Sequence, residues 1–412
     1  MAFHRSKPPA IFLTHELPWP LDRGGKIRAF QSLAALCEDY SVDLIAFIEK
    51  GAEELTICQL RAACPSVNSI QELHHPIRLG TTLRKARAVT NAYLKGQAYS
   101  LQKFTSDRLR RLLEVRARRP SRLIFVSHLS LFSAGRDLAD LYEGNVPIVL
   151  DEHNVEYEMC SDFQQHAAFY FGPILRREAT LLEAFEKNAW VRASGVLAIS
   201  RADASTISTV VGQEKVAYFP PSFPANGRMF RRADRAPIIG LIGQWAWPPS
   251  RVSLDWFCDE VVPELHTRYS QVQILVAGTG LTNARVQAME RRGCVALGRV
   301  TNADDFYRSV DIIAAPDLTG GGVRLKVLHA LAHGLPIAGT EVSFRGLEVV
   351  HGKHCLIANS KLGLATALVR LLTDKELRNK IGLEAGGYYR TTHDNRAAAS
   401  GLLRFVHEVS GT

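Results

Sequence analysis

The sequence has no apolar run approaching the roughly 20 residues that a membrane-spanning helix needs. Its seven cysteines are odd in number and scattered, with no C-x-x-C pair. That pattern argues against a zinc ribbon and fits a reducing, cytoplasmic setting. No D-x-D occurs, so the common carboxylate clamp for a metal–nucleotide complex is missing. No complete G-x-G-x-x-G follows a strand, which speaks against a dehydrogenase. Tandem repeats and low-complexity segments are absent as well. The opening MAFHRSKPPAIFLTHELPWP holds one short apolar run followed by His15 and Glu16, and reads as a first buried strand, not a secretory signal.

What the chain does have is length and an uneven charge. Its 412 residues favour two domains, each able to bury its own core. The net charge of +9 is matched by one stretch, Arg84 to Arg122, where 12 basic residues face only Asp107 and Glu114. A solvated helix face explains such a run. So does an anionic membrane surface, because Leu83, Tyr93, Leu94, Leu101 and Phe104 interleave with the charges. No recognised nucleic-acid motif accompanies the run, and nucleic acid is not expected as a partner.

Short apolar runs alternate with amphipathic ones. AIFLTH, SVDLIAFI, RLIFVSH, VPIVLDEH and GVLAIS read as buried strands with helices between them, the signature of a parallel sheet covered on both faces. The alternation breaks at residues 218–237, rich in Pro, Gly and Arg, and restarts with IIGLIG, VQILVAG, VDIIAAP and LPIAGT. The expected organisation is α/β: a Rossmann-like domain over 1–217, a linker over 218–237, a second Rossmann-like domain over 238–390, and a helix over 391–412 returning to the first domain. Ligands of such sheets sit at the carboxyl ends of the strands, and two such halves facing each other form a cleft.

The candidate residues lie at those strand ends. Gly24 and Gly25 open the first helix, with Lys26 and Arg28 just inside. A Gly-Gly turn has an ordinary structural use, and it also lets backbone N–H groups approach an anion. His128 ends one strand and Asp151 with His153 the next, and Ser200 ends the last strand of the half. In the second half Gly243 follows the first strand, and Gly278 with Gly280 form a bare G-x-G. The richest stretch is TGGGVRLKVLHALAHGLP, Thr319 to Pro336. Gly320, Gly321 and Gly322 run into a helix that carries Arg324, Lys326 and, three residues on, His329. A tight turn before an ordinary helix is one reading. The other is a phosphate site, where backbone donors, the helix dipole and two cations meet.

These residues resemble glycosyltransferase family 4, in the subgroup reading G-x-x-x-W-x-P-N and then G-G-G-x-R-L-K-x-L-E-A. Gly243, Trp247 and Pro249 match the first pattern. Gly320, Gly321, Gly322, Arg324, Leu325, Lys326, Leu328 and Ala330 match the second, followed by GLP at Gly334 to Pro336. LPWPLDRGGKIRAF, DEHNVEYE and LAISRADA are similar to family segments in the same order, so the likeness spans nearly the whole chain. It implies a GT-B fold, with parallel sheets facing across a cleft, and retaining transfer of a hexose from a nucleotide diphosphate sugar. The acceptor would be a glycan, a lipid-linked sugar or a small molecule, in surface polysaccharide or glycoconjugate synthesis. The first domain would bind acceptor and the second donor.

By the same resemblance Arg324, Lys326 and His153 are the catalytic set. Gly24, Gly25, Gly243, Gly320, Gly321, Gly322 and His329 bind donor, and His128, Asp151, Ser200 and Arg28 line the acceptor side or the cleft. No metal or other cofactor is expected, since Arg324 and Lys326 replace one. The location implied is cytoplasmic, with the basic stretch at 84–122 allowing a peripheral place on the inner membrane face. The chain departs from the family where the paired glutamates fall on Gly321 and His329, where Gln244 takes an arginine place, where Ser250 replaces Asn, and where Ser343 and Arg345 replace Gly and Glu. The replaced glutamate at His329 leaves a second reading open: a non-catalytic GT-B protein that binds nucleotide or glycan as a partner subunit. An epimerase on the same fold would need carboxylate bases in the cleft.

Overall fold

The computed structural model describes residues 7–21, 23–48, 53–74, 82–104, 106–166, 172–223, 236–320 and 322–411. The chain divides into two compact units, Met1–Pro221 with Arg396–Thr412, and Ser222–Asn395.

In the first unit the described strands are β1 (Pro9–Thr14), β2 (Ser41–Ile48), β3 (Val67–His74), β4 (Leu123–Ser127), β5 (Ile148–Asp151), β6 (Gly195–Ala198) and β7 (Val216–Tyr218). They form one sheet in the order β3-β2-β1-β4-β5-β6-β7, and every pairing is parallel. The strands at its centre are apolar throughout because helices cover both faces: all five residues of β4 are buried. The chain runs outward from β1 to β3 and then returns to β4, so the strand order reverses between β1 and β4. That switch point is where open α/β sheets bind ligands. Register aligns Thr14 with Ser127 and Ser127 with Asp151. The residues that follow β1, β4 and β5 therefore emerge side by side.

The second unit repeats the plan with β8 (Ile238–Gln244), β9 (Gln273–Thr279), β10 (Cys294–Gly298), β11 (Ile312–Ala315), β12 (Ile337–Gly339) and β13 (Leu356–Ile357). Their order is β10-β9-β8-β11-β12-β13, with the switch between β8 and β11.

Tyr218 closes β7 and Phe219 is buried in the first unit's core, so the first residues of the 218–237 stretch belong to that unit and not to a linker. Residues 224–235 of that stretch lie outside the described residues. The helix Lys375–Thr392 stays with the second unit, and the segment counted with the first begins at Arg396, not at 391. The helix Asn395–Ser410 buries Leu402, Phe405 and Val406 in the first unit's core. A Cβ on Gly195 would come within 2.7 Å of the Phe405 ring, so the absent side chain at the start of β6 makes room for this helix.

Candidate functional site

In the second unit β11 delivers the chain into a turn that leads to the helix Leu325–Ala332. Burial of Val327, Leu328, Ala330, Leu331 and Ala332 fixes that helix against the sheet. Arg324 stands at its N-cap, one residue outside the helix, with no side-chain cap. Gly320 and Gly322 adopt φ of +117° and +66°, which strain any residue with a Cβ. Gly321 lies outside the described residues.

Cations crowd this turn. Lys326 Nζ donates to Asp317 Oδ1 at 2.6 Å. Arg324 Nη2 donates to the Thr319 carbonyl at 3.2 Å and to that of Gly320. Arg345 Nη1 reaches the Gly320 carbonyl at 3.5 Å. Hydroxyls set the turn itself: Ser343 Oγ accepts from Asp317 N at 3.1 Å, Thr340 Oγ1 donates to the Asp317 carbonyl, and Ser253 Oγ accepts from Leu318 N at 3.1 Å. Ser343 and Arg345, two departures from the family pattern, are thus part of the turn. Burial alone would raise the Asp317 carboxyl. Lys326 and Arg324, with hydrogen bonds from Lys326 and Ser343, more than offset it and hold the group below its ordinary value. The turn carbonyls holding Arg324 are neutral partners. A phosphate, charged as well and open to bidentate contact, is a stronger partner for a guanidinium than a carbonyl is.

Gly243 has a packing role. A Cβ there would meet the indole of Trp245 at 2.9 Å, and one on Gly278 would fall 1.8 Å from the Gly243 carbonyl oxygen. The pair lets Trp245 lie buried at the end of β8, 6.0 Å from Lys326 Nζ.

His329 does not offer a free edge to a ribose. Its Nε2 lies 2.6 Å from Asp304 Oδ1. Its ring stacks on Phe223 at 4.1 Å and packs on Tyr307 at 4.5 Å. Burial first lowers its pKa, to about 4, against the opposing pull of Asp304, so the imidazole is neutral.

In the first unit the helix Gly24–Asp39 starts at an exposed Gly24. Gly25 packs against Glu16, whose Oε1 would lie 2.8 Å from an added Cβ and would have to swing aside for one. Arg28, Asp151 and Ser200, expected to line a cleft, are buried instead. Arg28 Nε and Nη2 bind Asp151 Oδ1 at 3.0 and 2.7 Å, and its Nη1 reaches the Phe219 carbonyl. Ser32 Oγ takes the other oxygen of Asp151 at 2.7 Å. The pair is a bolt between the first helix and β5. Ser200 caps the helix Arg201–Val211 by accepting from Asp203 N at 3.0 Å.

Three histidines gather at this sheet edge. The rings of His15 and His128 lie 4.2 Å apart, with His153 at 6.0 and 5.4 Å from them. His153 is the innermost, with its side chain 6% exposed against 17% for His15 and 22% for His128. Its Nε2 bonds Ser127 Oγ at 3.0 Å. Burial, then His128, His15 and Arg28, push its pKa well down and keep it neutral. His153 therefore backs the cluster, and the more exposed imidazoles are His15 and His128. His128 takes φ of +100° and its Nδ1 accepts from Ser130 N at 3.2 Å, which turns Nε2 toward Glu156 at 3.4 Å.

His15 and Asp317 escaped the sequence reading as site residues. Both directly follow the strand-end runs AIFLT and DIIAAP, the one signal that could have marked them.

Residues 236–374 match the family model described as Glycosyl transferases group 1. A phosphatidyl-myo-inositol mannosyltransferase of Mycolicibacterium smegmatis is 29% identical over 157 residues, 36% of this chain and 40% of that protein. The chain spans less than half the length of the curated relatives it matches. Sucrose-phosphate synthase from Thermosynechococcus elongatus superposes with a TM-score of 0.71 at 15% identity, covering 98% of this chain and 100% of that one. Anabaena HepE in complex with UDP-glucose gives 0.65 at 13% identity, covering 97% and 99%. The fold is GT-B, as expected.

Proposed function

We propose that the chain is a glycosyltransferase that moves a hexose, with retention of configuration, from a nucleoside diphosphate sugar to a glycan, lipid-linked or small-molecule acceptor in glycoconjugate or surface polysaccharide synthesis. The observation that carries this reading is the turn Asp317–Lys326. It sets Arg324 and Lys326 around positive-φ glycines at a helix start, inside the segment that matches the group 1 model. HepE, a protein of the same fold, holds UDP-glucose, which supports a nucleotide-sugar donor. Donor binding falls to the second unit and acceptor binding to the sheet edge where His15 and His128 gather.

Catalysis in this reading is electrostatic. Arg324 and Lys326 neutralise the leaving diphosphate as the sugar gains oxocarbenium character. The leaving phosphate takes the acceptor proton, so no side-chain base is required and no metal takes part. Among the described residues no helix is long and apolar enough to cross a membrane. The basic stretch at 84–122 serves as a peripheral contact at the cytoplasmic face. The test is nucleotide release from a panel of nucleoside diphosphate sugars, UDP-glucose first, with mixed acceptors, followed by determination of the product anomer. An inverted product removes retention, and no release with any donor removes transfer.

The tie between His329 and Asp304 favours one second reading, a protein that binds nucleotide without transferring sugar. It requires that UDP raise the unfolding temperature while no donor is ever turned over.

A further inference from the structure

Asp304, His329 and His333 converge, and the reading above gives them no task. Asp304 opens the helix Ala303–Ser309, and the side chain of Asn302 caps its backbone N–H at 2.9 Å. His329 and His333 are spaced i, i+4, so both imidazoles emerge on one face of the Leu325 region. Their Nε2 atoms lie 2.6 and 2.9 Å from the same oxygen, Asp304 Oδ1. One donor atom from each of the three falls within 4.8 Å of the others. Aromatic walls hold the rings. Tyr307 packs on both at 4.5 and 5.3 Å, and its hydroxyl is committed to the Lys326 carbonyl at 2.8 Å. Phe223 lies flat on His329, with an interplanar angle of 3°.

We propose that these three side chains form a binding site for a divalent ion of the zinc class, with two imidazole nitrogens and one carboxylate oxygen as ligands and a fourth position left for water. Two nitrogen donors select against Mg²⁺ and Ca²⁺, which take oxygen. Bonds of about 2.0–2.2 Å in a tetrahedron place ligand atoms roughly 3.3–3.6 Å apart, so the Asp304 oxygen draws back from each imidazole by about 1 Å or less, while the two imidazole nitrogens settle to that spacing from a separation within 4.8 Å. Asp304, with its side chain 27% exposed against 13% and 5% for the histidines, is the ligand with room to move and the side from which an ion enters. Each imidazole coordinates through Nε2 with its proton on Nδ1. Occupancy fixes the ring on which Phe223 rests, where the chain enters the second unit.

The test uses the full chain, stripped with chelator and titrated with Co²⁺ as a visible probe and with Zn²⁺ in competition. The expected result is one Co²⁺ per chain, with ligand-field bands and no thiolate charge-transfer band, displaced by Zn²⁺ but not by millimolar Mg²⁺. Asp304→Asn and His333→Ala should each weaken Zn²⁺ binding at least tenfold with an unchanged far-UV spectrum. Should His333→Ala unfold, the near-isosteric Asp304→Asn decides alone. Absence of stoichiometric binding, binding equal in wild type and variant, or charge-transfer bands marking the buried cysteines would each overturn the site. None of these readouts involves sugar transfer, so the outcome is separate from that of the transferase reading.

Discussion

Lys326 Nζ lies 2.6 Å from Asp317 Oδ1, while Asp317 Oδ2 is buried with no partner among the described residues. The lysine is therefore held at the turn by a carboxylate that has spare capacity to accept. In the proposed reaction this pairing fixes the ammonium before the donor arrives.

Lys326→Ala should lower turnover roughly 100-fold, about 3 kcal/mol of lost stabilisation of the leaving group. It should also destabilise the fold by about 3 kcal/mol, because Asp317 is left buried beside fewer cations. Lys326→Ala with Asp317→Asn should recover most of the stability and none of the turnover. Steady-state kinetics and denaturant melts of both variants check this. Recovery of turnover in the double variant would take Lys326 out of the mechanism.

Glu152 accepts from Trp190 Nε1 at 2.8 Å in the core behind the histidine cluster. Burial first, and Glu186 second, push its carboxyl well above the ordinary value, while burial takes Glu186 to about 8. The folded chain thus keeps Glu152 protonated where the unfolded chain ionises it, and stability falls as pH rises above about 4.5. Glu152→Gln keeps the shape without the titration. Its unfolding midpoint should exceed that of the wild type at pH 8, with the gain shrinking toward pH 5. Calorimetry that finds the variant less stable at pH 8 would refute the buried neutral acid.

Chelation should leave transfer intact, since Arg324 and Lys326 carry the charge that a metal carries elsewhere. Turnover lost in EDTA and restored by Mg²⁺ or Mn²⁺ would argue for a metal clamp. Chelation empties the trio at Asp304 as well, and the expectation holds because that site has no part in the proposed reaction.

The basic stretch should carry the chain to anionic vesicles. Tyr93, Leu94 and Val115 are 58%, 79% and 62% exposed among the arginines and lysines there. Each basic residue near the surface contributes roughly 1 kcal/mol, screened within about 10 Å at 0.1 M salt. Co-sedimentation should fall as salt rises. Equal binding to neutral and anionic vesicles would exclude the electrostatic contact.

The two parallel sheets and the glycine turn were legible because apolar strands and a Gly-Gly-Gly run are local signals. Roles that depend on partners distant in sequence were not. Nothing near Arg28 reveals that Asp151, 123 residues on, will turn it inward. The spacing of His329 from Lys326 places both on one helix face, yet Asp304 and Phe223, from other segments, decide where that imidazole points. Gly243 was visible as a strand-end glycine, but only the Trp245 ring explains why a Cβ is excluded there.

The helix Asn395–Ser410 has a consequence for the order in which the chain folds. Its Leu402, Phe405 and Val406 complete the core of a unit whose other residues end at Pro221. During synthesis the first sheet emerges early and stays open on that face until the whole second unit has followed it. The contact that closes it pairs residues some two hundred positions apart, as Tyr40 with Ser410 shows at the extreme, 370 apart. A chain interrupted anywhere in the second unit would leave the first one unfinished, so the first unit, though separate in its core, matures only after the second has been made.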